Sequence, residues 1–217
     1  MRPWRSRSEP AGPVERLLAE LRIHVEDLRV LDAIREVPRE RFVPARLQAE
    51  AWDNVALPIG SGQTISQPLV VARMCELLHL RGGERVLDVG TGSGYHAAVL
   101  ARLAAHVWSV ELHPALSARA AASLAASGVE NVTLLTGDGS LGHPAEAPYD
   151  AVNVAAAMQE VPPALPEQLA EGGRLVGPVD GGDQRLVVLR RGPGGELHRE
   201  AHERVRFVPL VPGERPG

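Results

Sequence analysis

The sequence predicts an α/β protein built on a mostly parallel, twisted sheet with helices on both faces, and three observations point there. Short apolar runs alternate with helical stretches from residue 85 to about 170. The first run enters a glycine-rich loop that opens a helix, and acidic residues close or follow the next two runs. Strands alternating with helices imply βαβ units, whose crossovers cover a parallel sheet.

The elements follow in order. Residues 14–22 read as a helix with Leu17, Leu18 and Leu21 on one face, and residues 27–37 as a second with Val30, Leu31 and Ile34. Val37-Pro38 and Val43-Pro44 break the pattern. Residues 45–68 read as irregular, rich in glycine, proline and polar side chains. Residues 69–80 read as a buried helix ended by Gly82-Gly83. Strands are then expected at 86–89, 106–110, 132–135 and 149–154, with helices at 95–104 and 114–127. Residues 163–169 read as helical, 173–178 and 185–190 as fifth and sixth strands, and 204–208 as a seventh. The last strands lie too close together for helical crossovers, and residues 192–195 suit a hairpin turn, so this end of the sheet is expected to be antiparallel.

Composition bounds the function. The 217 residues suffice for one domain, and 44% hydrophobic with 23% charged residues suits a soluble core. A net charge of −4 provides no basic surface for a phosphate backbone, so no nucleic-acid partner is expected. All 23 basic residues are arginine, which excludes a P-loop lysine and a Schiff base. Cys75, the only cysteine, excludes an internal disulfide and is expected to be a buried thiol. The histidines show no compact ligand spacing, so no metal site is expected. No stretch approaches the ~18 apolar residues of a membrane span. Arg2, Arg5 and Arg7 are not followed by the apolar core of a signal peptide. A cytoplasmic protein without a membrane partner is expected. With no coiled-coil seam, it is expected to be a monomer.

The strongest local signal is Val86-Leu87-Asp88-Val89-Gly90-Thr91-Gly92-Ser93-Gly94. Glycine permits the tight dihedrals of such a loop and the close approach of a ligand, and the helix behind it presents free N–H groups. A dinucleotide fingerprint would need glycine or alanine where Tyr95 stands. The observed spacing, preceded by Asp88, resembles the nucleoside-binding motif of class I methyltransferases, whose sheet is Rossmann-like. Glu111, followed by Leu112, closes the second strand, where a carboxylate can accept both hydrogen bonds of a ribose diol. Asp138, within Gly137-Asp138-Gly139, follows the third strand, where a carboxylate can reach an adenine amino group. Acids at consecutive strand ends converge on one crevice beside the loop.

A wider resemblance joins these signals. Val37-Pro38-Arg39-Glu40-Arg41-Phe42-Val43-Pro44 and Leu57-Pro58-Ile59-Gly60-Ser61-Gly62-Gln63-Thr64-Ile65-Ser66-Gln67-Pro68 resemble characteristic blocks of the protein-L-isoaspartate O-methyltransferases. The similarity continues through the glycine loop to Val205-Arg206-Phe207-Val208-Pro209-Leu210, covering roughly residues 15–210. It implies S-adenosylmethionine as cofactor and isoaspartyl-containing proteins and peptides as acceptors. By resemblance Ser66 is the active-site residue, though its hydroxyl can also cap the helix that follows. Thr64, Ile65 and Gln67 would close over the cofactor, together with Asp88, Gly90, Thr91, Gly92, Ser93, Gly94, Glu111, Leu112, Asp138 and Gly139. Ala156, Ala157, Arg206 and Val208 would contact the peptide. The implied organisation is a disordered tail at 1–13, a substrate-capping region at 14–80 and a cofactor-binding domain at 81–212, in one compact unit.

Two residues depart from the pattern. Met158 stands where the family usually has a proline, and Asn153 is unusual in the fourth strand. Met158 fits a second reading, in which a reshaped pocket methylates one aspartate of a dedicated peptide that then cyclises. Two more distant readings are a catalytically dead scaffold and a dehydrogenase. The intact loop with Glu111, Asp138 and Ser66 opposes the dead scaffold, and Tyr95 opposes the dehydrogenase.

Overall fold

A computed structural model describes residues 12–213. Helix α1 (Pro13–Leu21) starts on proline, which suits the first turn because its missing N–H has no intrahelical partner there. It buries Leu17, Leu18 and Leu21. Helix α2 (Leu28–Glu36) is capped by Asp27, whose carboxylate accepts the Arg29 backbone N–H at 3.0 Å. Helix α3 (Pro68–Leu78) completes the N-terminal layer. Of the tail expected at 1–13, residues 1–11 lie outside the described residues, and Pro13 already belongs to α1.

The stretch expected to be irregular at 45–68 holds a 3-10 segment, Ala45–Glu50, and a hairpin. Strand β1 (Leu57–Gly60) pairs antiparallel with β2 (Gln63–Ile65). Strands this short show too little alternation to be read as strands.

The main sheet contains β3 (Arg85–Val89), β4 (His106–Glu111), β5 (Val132–Thr136), β6 (Tyr149–Val154), β7 (Leu169–Asp180), β8 (Gln184–Arg191) and β9 (Leu197–Arg204). Their spatial order is β5-β4-β3-β6-β7-β8-β9, with β5 to β7 parallel and β8 and β9 each antiparallel to its neighbour. Helices α4 (Tyr95–Leu103) and α5 (Pro114–Ala126) cross over between β3, β4 and β5.

Alternation along β3 sorts two cores. Val86, Val107, Ala151 and Val176 face α1–α5, while Leu87, Val89, Val152 and Leu175 face the other way. That second face is covered more thinly, by Met158, the single turn α6 (Ala164–Glu167) and two 3-10 turns at Gly139–Leu141 and Pro144–Glu146.

The seventh strand is not at 204–208. The tight turn at 192–195 sends the chain straight back, so pairing with β8 begins at Leu197 opposite Arg191 and has run out by Arg204 opposite Arg185. Residues 205–213 leave the sheet as a strap. Val208 C=O accepts from Ala157 N–H at 2.8 Å, and Leu210 N–H donates to Ala157 C=O at 2.7 Å. The Gln184 side chain accepts the Phe207 N–H at 2.8 Å. The strand order reverses between β3 and β6, with β4 and β5 added on one side of β3 and β6 onward on the other, and a crevice opens there at the strand carboxyl ends, the usual ligand position in open α/β sheets.

Candidate active site

The glycine loop leaves β3 at that crevice. Gly90, Gly92 and Gly94 take φ of 92°, 55° and 89°, a region where a side chain is strained. Gly90 and Thr91 N–H groups both reach Val110 C=O, at 2.9 and 3.3 Å, which ties the loop to β4. Glu111 follows at the end of β4, buried. One carboxylate oxygen accepts Gly92 N–H at 2.8 Å and the other accepts His113 N–H at 2.9 Å. Glu111 lines the crevice, and each of its oxygens keeps capacity to accept a further hydrogen bond.

Two hollows meet here. The crevice is lined by Gly90, Gly92, Glu111, Leu112, Gly139 and Ala156. Beside it, a cleft of about 460 Å³ is lined by Ser66, Gln67, Val70, Arg206 and Phe207. Thr64, Ala155 and Val208 line both, so they form the boundary between the hollows. A smaller hollow under the loop is lined by Ile65, Ser66, Thr91, Ser93 and His96. The strap lines both the crevice and the cleft, with residues 208–211 along the crevice and residues 205–208 along the cleft.

Ser66 sits on the cleft without a competing duty. The N-cap of α3 is Gln67, with no side-chain cap, and the first-turn Leu69 N–H donates instead to Asn54 Oδ1 at 3.0 Å. The capping role expected for Ser66 therefore belongs to Asn54. Behind Ser66 lies Arg39, fully buried with no carboxylate partner. Its guanidinium donates to Ala51 C=O (2.7 Å), Ser66 C=O (2.8 Å) and Val55 C=O (3.0 Å), and lies 5.1 Å from the Tyr95 ring centroid. Burial lowers its pKa, and Tyr95 opposes the shift. One arginine thus gathers three points of the segment between residues 51 and 66. The signal for it was present in the Val37–Pro44 block, but spacing alone gave no reason to assign Arg39 to the site.

Several expected contacts lie elsewhere. Asp88 does not line the crevice. It is wholly buried beneath the loop, accepting from Ser109 Oγ at 2.6 Å and Asn153 Nδ2 at 2.7 Å. Burial raises its pKa and those two donors pull the other way. Asp138 is also outside the crevice lining, because its carboxylate turns back onto Ser140, accepting N–H at 2.9 Å and Oγ–H at 2.7 Å. Burial pushes its pKa up, but the Ser140 bonds outweigh this and hold it low. Gln67, expected at the cofactor, lines the neighbouring cleft and not the crevice. Gly94 packs against α5, where an added Cβ would lie 3.2 Å from Ala120 Cβ. Ala157 is buried and spends its backbone on the strap. Ala155, at the boundary of both hollows, was not anticipated as a site residue; it belongs to the small-residue run after the fourth strand.

Met158 does not reshape the pocket. It is 1% exposed and faces the second core away from both hollows. Its N–H donates to Pro178 C=O at 2.9 Å and its C=O accepts Asp180 N–H at 2.8 Å, so the loop is held without proline's fixed φ.

Known proteins are similar to this chain in sequence and fold. A family model described as protein-L-isoaspartate(D-aspartate) O-methyltransferase matches residues 13–215. The chain is 56% identical over 203 residues to a protein-L-isoaspartate O-methyltransferase of Anaeromyxobacter dehalogenans, covering 91% of this chain and 97% of that one. It is 48% identical over 205 residues to one from Methanoregula boonei, covering 93% and 94%. A solved protein-L-isoaspartate O-methyltransferase superposes with TM-score 0.82 at 30% identity, covering 91% of this chain and 66% of the longer partner. A Plasmodium falciparum protein assigned to the same family, solved with S-adenosyl-L-homocysteine, gives TM-score 0.80 at 23% identity over 93% and 99%, and shares the fold.

Proposed function

The chain belongs to the protein-L-isoaspartate(D-aspartate) O-methyltransferase family, and from that membership we infer that it uses S-adenosylmethionine to methylate the free α-carboxylate of L-isoaspartyl residues in damaged proteins and peptides. The observation that carries this reading is the boundary of Thr64, Ala155 and Val208, where the crevice lined by the glycine loop and Glu111 meets an open cleft holding Ser66. The residues present fit the cofactor. Glu111 offers a fixed carboxylate to a ribose diol, and the glycine loop permits close approach. When bound, S-adenosylmethionine supplies an electrophilic sulfonium methyl.

The chain's own residues then have little acid–base work. An acceptor carboxylate with a pKa of about 4 is ionised at neutral pH, so no general base is required. Ser66 donates its hydroxyl to that carboxylate and holds it toward the methyl, while the strap and the β1–β2 hairpin exclude water. Alignment and dehydration are the expected sources of rate, because opposite charges neutralise as the methyl moves and water shields the separated charges best. The methoxy group of the product ester leaves far more readily than the oxide of a carboxylate. The next backbone nitrogen attacks the ester carbonyl and, losing its proton, expels methanol to give a succinimide, whose hydrolysis returns some normal aspartate. We further assign residues 14–80 to a cap over 81–212, and infer a monomeric cytoplasmic enzyme without nucleic-acid or membrane partners. Among the described residues no helix is long and apolar enough to cross a membrane.

The test is methyl transfer from labelled S-adenosylmethionine to peptides differing only in L-isoaspartate or L-aspartate. Ester on the isoaspartyl peptide alone is expected. Ser66→Ala should lower kcat/KM for that peptide at least about tenfold, the loss of one hydrogen bond to a charged group, with cofactor affinity unchanged. Methylation of neither peptide would overturn repair as the function.

A further inference from the structure

A chain of polar side chains runs through the apolar core beneath the glycine loop, and the reaction as derived above makes no use of it. In-register pairing of β4, β3 and β6 places Ser109, Asp88 and Asn153 side by side on the face toward α3 and α4. All three are 0% exposed. Hydrogen-bond directions follow from the chemistry of each group. The Asn153 amide nitrogen donates to Asp88 Oδ1 at 2.7 Å and lies 3.3 Å from His96 Nδ1, so its two hydrogens serve both. Ser109 Oγ donates to Asp88 Oδ2 at 2.6 Å, which leaves its lone pair to accept from Thr91 Oγ1, also at 2.6 Å. His96 then carries its proton on Nε2, 3.5 Å from Cys75 Sγ on α3. Thr91 is the second residue of the glycine loop, and Thr91, Ser93, His96 and Ser66 line one small hollow beneath it.

We propose that Asn153 is a positioning residue for cofactor binding, holding the Asp88 carboxylate so that Ser109 and Thr91 fix the glycine loop. The assignment rests on the methyltransferase reading. A valine or alanine at 153 would continue the apolar β6 equally well and would leave Asp88 with one donor inside the core, a costly arrangement for a carboxylate. Among the described residues the Asn153 carbonyl oxygen has no hydrogen-bond partner, an unmet cost that a purely space-filling side chain would avoid. The groups facing Asn153 are Asp88 from β3 and His96 from α4, with Cys75 of α3 behind His96 and Ser109 of β4 across Asp88.

The test is calorimetric binding of S-adenosylmethionine to the purified full chain and its variants, with urea unfolding of each cofactor-free protein alongside. Asn153→Leu removes the donor and should weaken cofactor binding at least about tenfold, with peptide KM unchanged. Asn153→Asp sets two carboxyl groups against each other, which can share one proton at pH 6 but not at pH 9. Cofactor affinity of that variant should fall about tenfold between these pH values while the wild-type value stays within about twofold. The exchange Asp88→Asn with Asn153→Asp restores one donor and one carboxylate, and should recover most of the lost affinity. A wild-type chain that binds while both single variants bind equally well overturns the proposal and leaves the methyltransferase reading intact. So does an exchange variant no better than Asn153→Asp alone, including the case where Asn153→Leu does not fold. A wild-type chain that does not bind S-adenosylmethionine overturns both.

Discussion

At the level of single residues, Glu111 has the most constrained chemistry. Its two oxygens are fixed by Gly92 and His113 N–H groups and still face the crevice. Glu111→Gln keeps the shape but turns one oxygen into an NH2 group, which leaves a backbone N–H facing a donor. Losing a hydrogen bond to a charged group costs roughly 2 kcal/mol, so cofactor affinity should fall about thirtyfold by calorimetry while the fold persists. Unchanged affinity would mean that the carboxylate orders the loop without holding the ribose. Residue identity alone was informative here because an acid closing a buried strand has few uses. It was less informative for Asp88 and Asp138, where type and position matched expectation but the partners, Ser109, Asn153 and Ser140, decide where each carboxylate points. Met158 shows the same limit. A departure in sequence beside the site turns its side chain into the second core, and only packing reveals that.

Elements were legible where apolar runs repeat at a strand or helix period, which holds from β3 to β8 and for α1 to α5. What escaped was backbone whose partners are distant in sequence. The strap at 205–213 and the segments that flank the β1–β2 hairpin, Ser66 among them, are held by Arg39, Asn54 and Gln184 through bonds that span at least 12 residues. Arg39 makes this a mechanical statement about the cap. Its planar fork reaches three carbonyls in different directions, and a lysine ammonium on a single stem cannot match that geometry. Arg39→Lys should therefore release one or two of Ala51, Val55 and Ser66. We expect kcat/KM for the isoaspartyl peptide to drop about tenfold or more, and stability to urea by about 2 kcal/mol, with cofactor affinity nearly unaltered. Equal losses in peptide and cofactor binding would show that Arg39 supports the whole domain and not the cap in particular.

Across the whole molecule, the buried polar chain joins the cofactor loop to α3 and so makes stability depend on pH in a readable way. His96 is held neutral, its pKa pushed by burial from the ordinary 6.5 down to about 3. Below the unfolded value the unfolded chain takes up a proton that the folded chain refuses. His96 thus contributes stability that is complete above about pH 6.5 and is lost progressively as pH falls toward 3. One proton corresponds to about 1.4 kcal/mol per pH unit. His79, lowered by burial and by Arg174 and Arg190, acts in the same sense. Asp88, raised by burial, acts in the opposite sense, since its folded form holds a proton more readily than its unfolded form. Asp27, Asp138 and Glu203 are held low, and their contribution is lost only as pH falls below ordinary values of 3.8 to 4.5. The interval from pH 6 to 5 is therefore free of those three carboxylates. Urea unfolding at pH 7, 6 and 5 should show wild-type stability falling more steeply than that of His96→Gln, by at most about 1.4 kcal/mol between pH 6 and 5. Parallel slopes would show that His96 takes up its proton in the folded chain, and the direction assigned to the hydrogen bonds from Asn153 to Cys75 would then be wrong.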